Sequence, residues 1–317
     1  MQTVVTRIGR TVPAEFRGTV RAVWGRACAV APDHGMHGVE NVALVTLVRD
    51  DVPMTAASIA LRLDPTFDFA ARGFGVGDRV RSDGATIVVG TAGSSAWAEA
   101  EMREAEPFDG YPPEATWSGD LSVLEYLAAA ARNHRCVMCG HNVLGAQSSQ
   151  ACDVYLEELS ASAIAGDPIG AAWAASSLLG LGPGLTPAGD DALCGFMLGR
   201  RLSGEGTSTA DGAINRIASS AAGRTSDVSA VQLELAAGGR FGEALLGVAT
   251  ALCAGKLPIA SATARCLAEG ATSGADGLLG LVAGLRASAA ARTSPDTDVS
   301  LDSTERRKRS AWLSTNE

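Results

Sequence analysis

The sequence predicts an α+β protein, a β-rich, barrel-like amino-terminal module followed by a mostly α-helical domain. Three observations carry this. Apolar residues alternate with polar ones through the first hundred positions; an acidic, proline-bearing stretch then breaks the pattern; and from Ser118 the apolar period becomes helical. The boundaries that follow are residues 1–104 for the β module, 105–117 for a linker, 118–287 for the helical domain and 288–317 for a mobile tail.

Taken in order, Gly18–Ala31 holds short runs of Val, Thr, Ala and Trp24, and Val42–Val48 is an apolar run that ends in the acidic turn Asp50-Asp51. Ile59–Leu63 alternates like a half-buried strand. Gly77–Arg81 leads through Asp83-Gly84 into Thr86–Val89, which has the grammar of a hairpin. Pro107, Pro112 and Pro113 within the acidic stretch Glu99–Glu114 exclude a helix interior or a central strand. Helices are then expected at Leu121–Ala131, with Ser118 or Asp120 as N-cap, and at Val154–Ala163, Pro168–Leu179, Asp191–Leu202, Asp227–Ala237, Phe241–Ala254 and Ala260–Ala268. From about Ser288 the chain is rich in Ser, Thr, Asp and Arg, includes Glu305–Arg309, and lacks an apolar period.

Composition excludes several classes of function. The chain has 317 residues, 46% of them hydrophobic, as buried cores require. A balance of 26 basic against 35 acidic residues, net −9, opposes the phosphate-driven affinity of nucleic-acid binders. No apolar run is long enough to span a bilayer, and Met1–Gly18 lacks the pattern of a signal peptide. Seven thinly spread cysteines do not form a disulfide framework, so a cytoplasmic protein is expected. The 37 glycines bring backbone close to backbone or to a ligand in many places, and 5% aromatics disfavours binding by stacking.

The most specific stretch is Gly180-Leu-Gly182-Pro-Gly184-Leu185-Thr186-Pro187-Ala188-Gly189-Asp190-Asp191. Alternate glycines permit positive φ and leave backbone N–H groups bare, and Thr186 before Pro187 reads as N-cap and first residue of a new helix. Free N–H donors at a helix N-terminus suit phosphate or carboxylate. The spacing is neither a nucleotide phosphate loop nor the dinucleotide-fold fingerprint, since no Lys-Ser/Thr follows the glycines. Asp190 and Asp191 would repel a bare anion unless a Mg²⁺ ion bridged them or they accepted hydrogen bonds from an amide or amino group. A small molecule with an acidic end and an amide end satisfies loop and aspartates together; a glycine-lined helix entry with two capping aspartates and no ligand is the alternative.

An echo of this helix start lies 85 residues on. Gly189-x-Asp191-x-Leu193-x-Gly195-x₃-Gly199 recurs as Gly274-x-Asp276-x-Leu278-x-Gly280-x₃-Gly284, five identities in register. Each copy carries Gly-x₃-Gly along one face, where a neighbouring helix can approach closely, so two related helix starts are expected to face one another.

The 180–191 motif resembles the hallmark of the oxamate carbamoyltransferase subunit family of the AllH type, whose usual form has Ser where this chain has Ala188. Phe67–Trp97, with Gly77-Asp78-x-Val80, is similar to the family's β-rich part, and Thr225-Ser226-x-x-Ser229 with Gly238-Gly239-Arg240-Phe241 to its later helices. The likeness spans most of residues 1–286, with only the 180–191 motif specific. It implies an enzyme of allantoin (purine-nitrogen) degradation that exchanges oxalurate and phosphate for oxamate and carbamoyl phosphate, through a subunit working with two other chains. Ala188 removes a hydroxyl from the loop, which admits another carbamoyl or acyl compound as substrate.

The functional expectation is therefore a carbamoyltransferase subunit for a small carboxylate/amide substrate. Asp190 and Asp191 are the candidate catalytic residues; Gly182, Gly184, Leu185, Thr186 and Gly189 would bind the anion. Arg224, Thr225, Ser226 and Ser229 are further candidates, either as ligand contacts or as caps of the next helix, and Thr272, Ser273 and Asp276 form the weaker twin of the main motif. His134-x-Cys136-x-x-Cys139-x-His141, with Cys152 beyond, has the look of a cluster for Zn²⁺, with partly buried thiols as the alternative; it lacks a second, well-spaced ligand pair, so no metal ligand is assigned, and Mg²⁺ is the cofactor that the aspartates of the loop would admit. None of Cys28, Cys194, Cys253 or Cys266 sits beside an obvious base, and no nucleophile elbow occurs. Expected partners are a small anion and additional carbamoyltransferase subunits, with neither nucleic acid nor membrane. Two other readings stay open: a non-catalytic anion-binding or regulatory subunit, and a structural protein built on glycine-dense helix packing.

Overall fold

A computed structural model describes residues 3–33, 43–90, 98–102, 105–113, 121–138, 143–204, 206–254 and 259–293. The chain divides after Gly110 into two compact units. The first is a closed β-barrel followed in the chain by the helical unit, an α+β architecture. Its strands are β1 (Thr3–Gly9), β2 (Glu15–Val23), β3 (Ala27–Pro32), β4 (Val45–Arg49), β5 (Ser58–Arg62), β6 (Arg79–Asp83), β7 (Thr86–Gly90), β8 (Ala98–Glu101) and β9 (Glu106–Phe108). They run round the ring as β5-β4-β3-β2-β6-β7-β8-β1, and β1 closes it by pairing antiparallel with β5.

Period-two patterning sets which side chains fill the ring. Phe16 and Val20 of β2, Val80 of β6, and Ile87 and Val89 of β7 are buried and share a core with Phe67, Phe69 and Phe74, whose rings meet edge to face. The β6–β7 hairpin forms as expected, with Gly84 at φ 82° and Asp83 Oδ1 accepting from the N–H groups of Ala85 and Thr86. Three strands escaped the sequence reading, among them β8, which enters the acidic stretch 99–114. The amino terminus is strand β1, and residues 106–108 of the expected linker are β9, which lies beside the end of β1. Pro107 is tolerated there because β9 pairs on one side only, so its missing N–H costs no ladder bond.

The helical unit contains α1 (Leu121–Met138), α2 (Val143–Ile164), α3 (Pro168–Leu178), α4 (Ala188–Leu202), α5 (Thr209–Ser219), α6 (Asp227–Ala237), α7 (Glu243–Ala254), α8 (Ile259–Leu267) and α9 (Ser273–Thr293). Helices α4 and α9 are its central pair, with α1 and α2 laid on α9 and α3 between α2 and α5. The pair is held by the echo. A Cβ on Gly195 would lie 1.9 Å from Gly277 O and 2.8 Å from Leu281 N; one on Gly280 would lie 1.9 Å from Ala192 O and 2.9 Å from Phe196 N. Gly199 meets Leu281 O and Leu285 N, and Gly284 meets Phe196 O and Arg200 N. Exchanging every α4 residue with the α9 residue 85 positions on turns the first contact of each pair into the second, so the helices run parallel about a local two-fold axis, backbone against backbone.

Helix α5 was not anticipated. Ser208 caps it and Asp211 completes a capping box, and Asp211 also receives Arg200, which is 2% exposed, through Nε and Nη2, each at 2.9 Å. The third guanidinium contact, Arg200 Nη1 to Ser288 Oγ at 3.1 Å, corrects the expected start of the tail. Ser288 is buried within α9, which continues to Thr293 because its small residues pack inward despite their polar look. Residues 294–317 lie outside the described residues, as do Ser118 and Asp120.

Candidate functional site

The loop between α3 and α4 has the backbone its glycines imply. Gly180, Gly182 and Gly184 have φ of 70°, 116° and 107°. Leu181 N–H donates to Leu178 O at 3.0 Å, and Gly189 N–H to Leu181 O at 2.9 Å, which pins the loop's base. A Cβ on Gly189 would sit 2.0 Å from Leu178 O, so this glycine serves the contact between the two helix ends. The tip, residues 183–185, is exposed. The N–H groups of Gly182, Gly184 and Leu185 have no partner among the described residues.

Thr186 was expected as N-cap and Pro187 as first helical residue. Helix α4 instead starts at Ala188, with Pro187 in the cap position and its carbonyl accepting from both Asp190 and Asp191 N–H. The shift frees the Thr186 hydroxyl, which hydrogen-bonds Ser273 Oγ, the first residue of α9, at 2.5 Å.

Asp190 is 2% exposed, and its carboxylate is committed to its own chain. Gly180 N–H donates to Oδ1 at 2.9 Å, and Thr225 Oγ1 donates to Oδ2, with Ser229 adding a contact. Burial raises its pKa, while Thr225, Gly180 and Ser229 pull it back down. The start of α6 is fastened to the same loop: Ser226 caps α6 by accepting from Ser229 N–H, and both Ser226 and Ser229 hydroxyls donate to Leu185 O. Arg224 is exposed and donates to Ser176 Oγ of α3.

Asp191 differs. It is 8% exposed, its Oδ2 has no hydrogen-bond partner among the described residues, and the Ser273 side chain lies close by. Burial first, then the Asp276 carboxyl, hold its pKa well above the carboxylate range, with Glu269 and Asp190 adding to the effect. Asp276 is fully buried one position before Gly277, whose Cβ would lie 3.6 Å from Asp191 O. Glu269, in the turn between α8 and α9, is pushed up to about 7 by burial and by Glu243. Burial also raises the thiols of Cys194 and Cys266, the latter to about 12, so neither is a thiolate nucleophile.

The structure thus gathers the 180–191 loop, Thr225, Ser226 and Ser229 on one side and Ser273 with Asp276 on the other. Thr272 contributes only a carbonyl, which accepts from Asp276 N–H. Glu269 was missed by sequence reasoning; it marks no motif and joins the acids only because α9 folds back on α4. Because both Asp190 oxygens take the chain's own donors, the aspartate pair does not fit a bridging Mg²⁺ ion. Among the described residues no three His, Cys, Asp or Glu side chains are grouped to hold a metal; Cys139 and His141 lie outside them, and Cys136 falls in the last turns of α1. A cavity of about 430 Å³ between α1, α2 and α9, walled by Arg132, Leu156, Leu279 and Arg286 among others, contains no loop residue. Among the described residues no helix is long and apolar enough to cross a membrane.

No curated protein and no solved structure matches this chain. Residues 178–285, about a third of the chain, match the model of the family described as oxamate carbamoyltransferase subunit AllH. The matched segment begins at the last residue of α3 and ends within α9, so it contains the glycine loop, the α6 start and the two-fold helix pair. Over this stretch of its helical unit, the chain is similar to the AllH type, a carbamoyltransferase subunit family.

Proposed function

We propose that this protein is a subunit of a carbamoyltransferase that binds a small carboxylate/amide compound of the oxamate or oxalurate kind together with phosphate or carbamoyl phosphate, on the 180–191 loop. The observation that carries the reading is the exposed loop of unpaired N–H groups at the N-terminus of α4, inside the segment similar to that family. The N–H groups of Gly182, Gly184 and Leu185 face the anion, Thr186 stands beside them, and Asp190 braces the loop against α6. Rate enhancement comes from positioning and electrostatics, with no covalent intermediate on a cysteine or histidine. Mg²⁺ enters only as companion of the phosphate, and further subunits complete the enzyme.

The commitment of both Asp190 oxygens favours a second reading, a binding or regulatory subunit whose partners supply the reacting groups. Turnover by the isolated chain separates the two. The direct test is a thermal-shift titration with phosphate, carbamoyl phosphate, oxamate and oxalurate, with and without Mg²⁺, on the parent and on Gly184→Val. A ligand at a hundred times its dissociation constant adds about 2.7 kcal/mol. A shift in the parent that Gly184→Val abolishes supports the site; equal shifts in both proteins, or none with any compound, count against it.

A further inference from the structure

The two-fold relation between α4 and α9 lets each helix be compared with the other, and they differ on the stripe turned away from the seam. On α9 this stripe is Leu279, Val282, Ala283, Arg286 and Ala287, and it lines the cavity of about 430 Å³ between α1, α2 and α9. The residues 85 positions earlier, on α4, are Cys194, Met197, Leu198, Arg201 and Leu202. The arginine recurs, but two buried leucines of α4, Leu198 and Leu202, stand where α9 has Ala283 and Ala287. Helix α6 packs on α4 as α1 packs on α9, and Arg201 is satisfied within the chain, its Nη2 donating to the carbonyl of Ala237, the last residue of α6. Arg286 donates to Glu125 of α1, an ion pair in solvent that contributes little. Helix α9 thus keeps the cation and has small side chains where α4 fills the space beside it.

The walls of this cavity carry both signs of charge over an apolar floor. Arg132 comes from α1 and Arg286 from α9, while α2 brings Asp153 and Glu157, four residues apart and so on one helix face. Leu156, Leu279 and Val282 are buried and form the floor. A cavity of about 150 Å³ accommodates a benzene ring, so this one has room for a ring or a branched chain together with a charged end. We infer that it binds a free amino acid with a large apolar side chain. The carboxylate lies on Arg132 and Arg286, the latter exchanging Glu125 for the ligand, and the ammonium group lies on Asp153 and Glu157. The side chain covers the floor, in the space that Leu198 and Leu202 fill on α4. An anion without the amine would meet the acids of α2 unanswered, and an amine without the carboxylate would meet the arginines. No residue of the 180–191 loop lines the cavity, so the inference stands apart from the reading of that loop as an anion site.

Calorimetric titration of the full chain tests this with L-leucine and L-phenylalanine. Each is compared with the analogues that lack one charge, isocaproate and isoamylamine for leucine, phenylpropionate and phenethylamine for phenylalanine. An amino acid is expected to bind, and each of its analogues to bind about tenfold or more weakly, the loss of a hydrogen-bonded charge. Ala283→Leu, which restores the side chain of α4, is expected to abolish binding. Arg286→Gln, on the half-buried rim, is expected to weaken it about tenfold with little change in melting temperature, and Gly184→Val to leave it unchanged. The inference is overturned if neither amino acid binds the parent, or if an analogue binds as tightly as its amino acid. It is also overturned if affinity is untouched by Ala283→Leu or Arg286→Gln, or lost in Gly184→Val, which would move the ligand to the loop. If Ala283→Leu does not fold, Arg286→Gln and the analogues decide alone.

Discussion

Asp190 and Asp191 are chemically the same residue in adjacent positions, and the fold gives them opposite circumstances. Asp190 receives Gly180 N–H and Thr225 Oγ1, so Asp190→Ala strands two donors in a buried region. Its expected cost is about 2–4 kcal/mol in denaturant unfolding, and Thr225→Val, which removes one donor, is expected to cost about 1 kcal/mol. The sequence marks both aspartates as acids of a helix's first turn and offers nothing to tell them apart. What separates them is a left-handed glycine ten residues earlier and a serine on α9, neither of which a local pattern can reveal. A second prediction concerns Glu269. Its pKa rises from 4.5 to about 7 on folding, so between those values the unfolded chain gives up its proton while the folded one keeps it. The folded state then binds more protons, and stability falls as the pH climbs through this window, levelling off above about 7. Glu269→Gln is therefore expected to gain in melting temperature relative to the parent as pH rises, with the gain absent at pH 4 or below. Melting curves across the window that stay parallel for the two proteins would remove this account.

At the scale of elements, the α4–α9 seam makes glycine a requirement of packing. Gly195→Ala and Gly280→Ala each place a methyl group within 2 Å of a carbonyl oxygen of the facing helix, at 1.9 Å in both cases. Alanine's helix preference returns about 1 kcal/mol, which overpacking of a backbone contact exceeds. A net loss of about 2 kcal/mol or more is expected for each. Gly247 is the control, since it lies in α7 with nothing within 4 Å of its Cβ position; Gly247→Ala should stabilise by about 0.5–1 kcal/mol. Chemical denaturation of the three variants checks both signs. The seam was legible as a repeated Gly-x₃-Gly, and most helices as apolar segments between caps. Helix α5 was hidden because its capping box, Ser208 with Asp211, uses Asp where Glu or Gln is the usual signal. Strand β9 was hidden by Pro107, whose exclusion from strands lapses at an edge, and the end of α9 by Ser288, whose hydroxyl is spent on Arg200 and Gly284 O.

Over the whole molecule, the division after Gly110 sets where the barrel can be cut. A fragment ending at residue 110 keeps β9, the bond from Arg10 N–H to Phe108 O and the Arg10–Asp109 ion pair; one ending at 104 loses all three. The longer fragment is expected to be the more stable by about 2 kcal/mol, chiefly from the β1–β9 ladder, since the exposed ion pair adds little. Circular dichroism melts of the two fragments measure the difference. In the helical unit, the two halves of the local dyad differ in one connection. Gly189 touches the carbonyl of Leu178, eleven residues back, whereas Gly274 touches that of Cys266, only eight back. The α3–α4 link, residues 179–187, is four residues longer than its α8–α9 counterpart, residues 268–272, and it has glycines at alternate positions along the turn. A symmetric body would offer two equal seats, but here one half supplies the doorway and the other the facing acid. If the proposed anion site is right, calorimetric titration is expected to give a stoichiometry of one anion per chain.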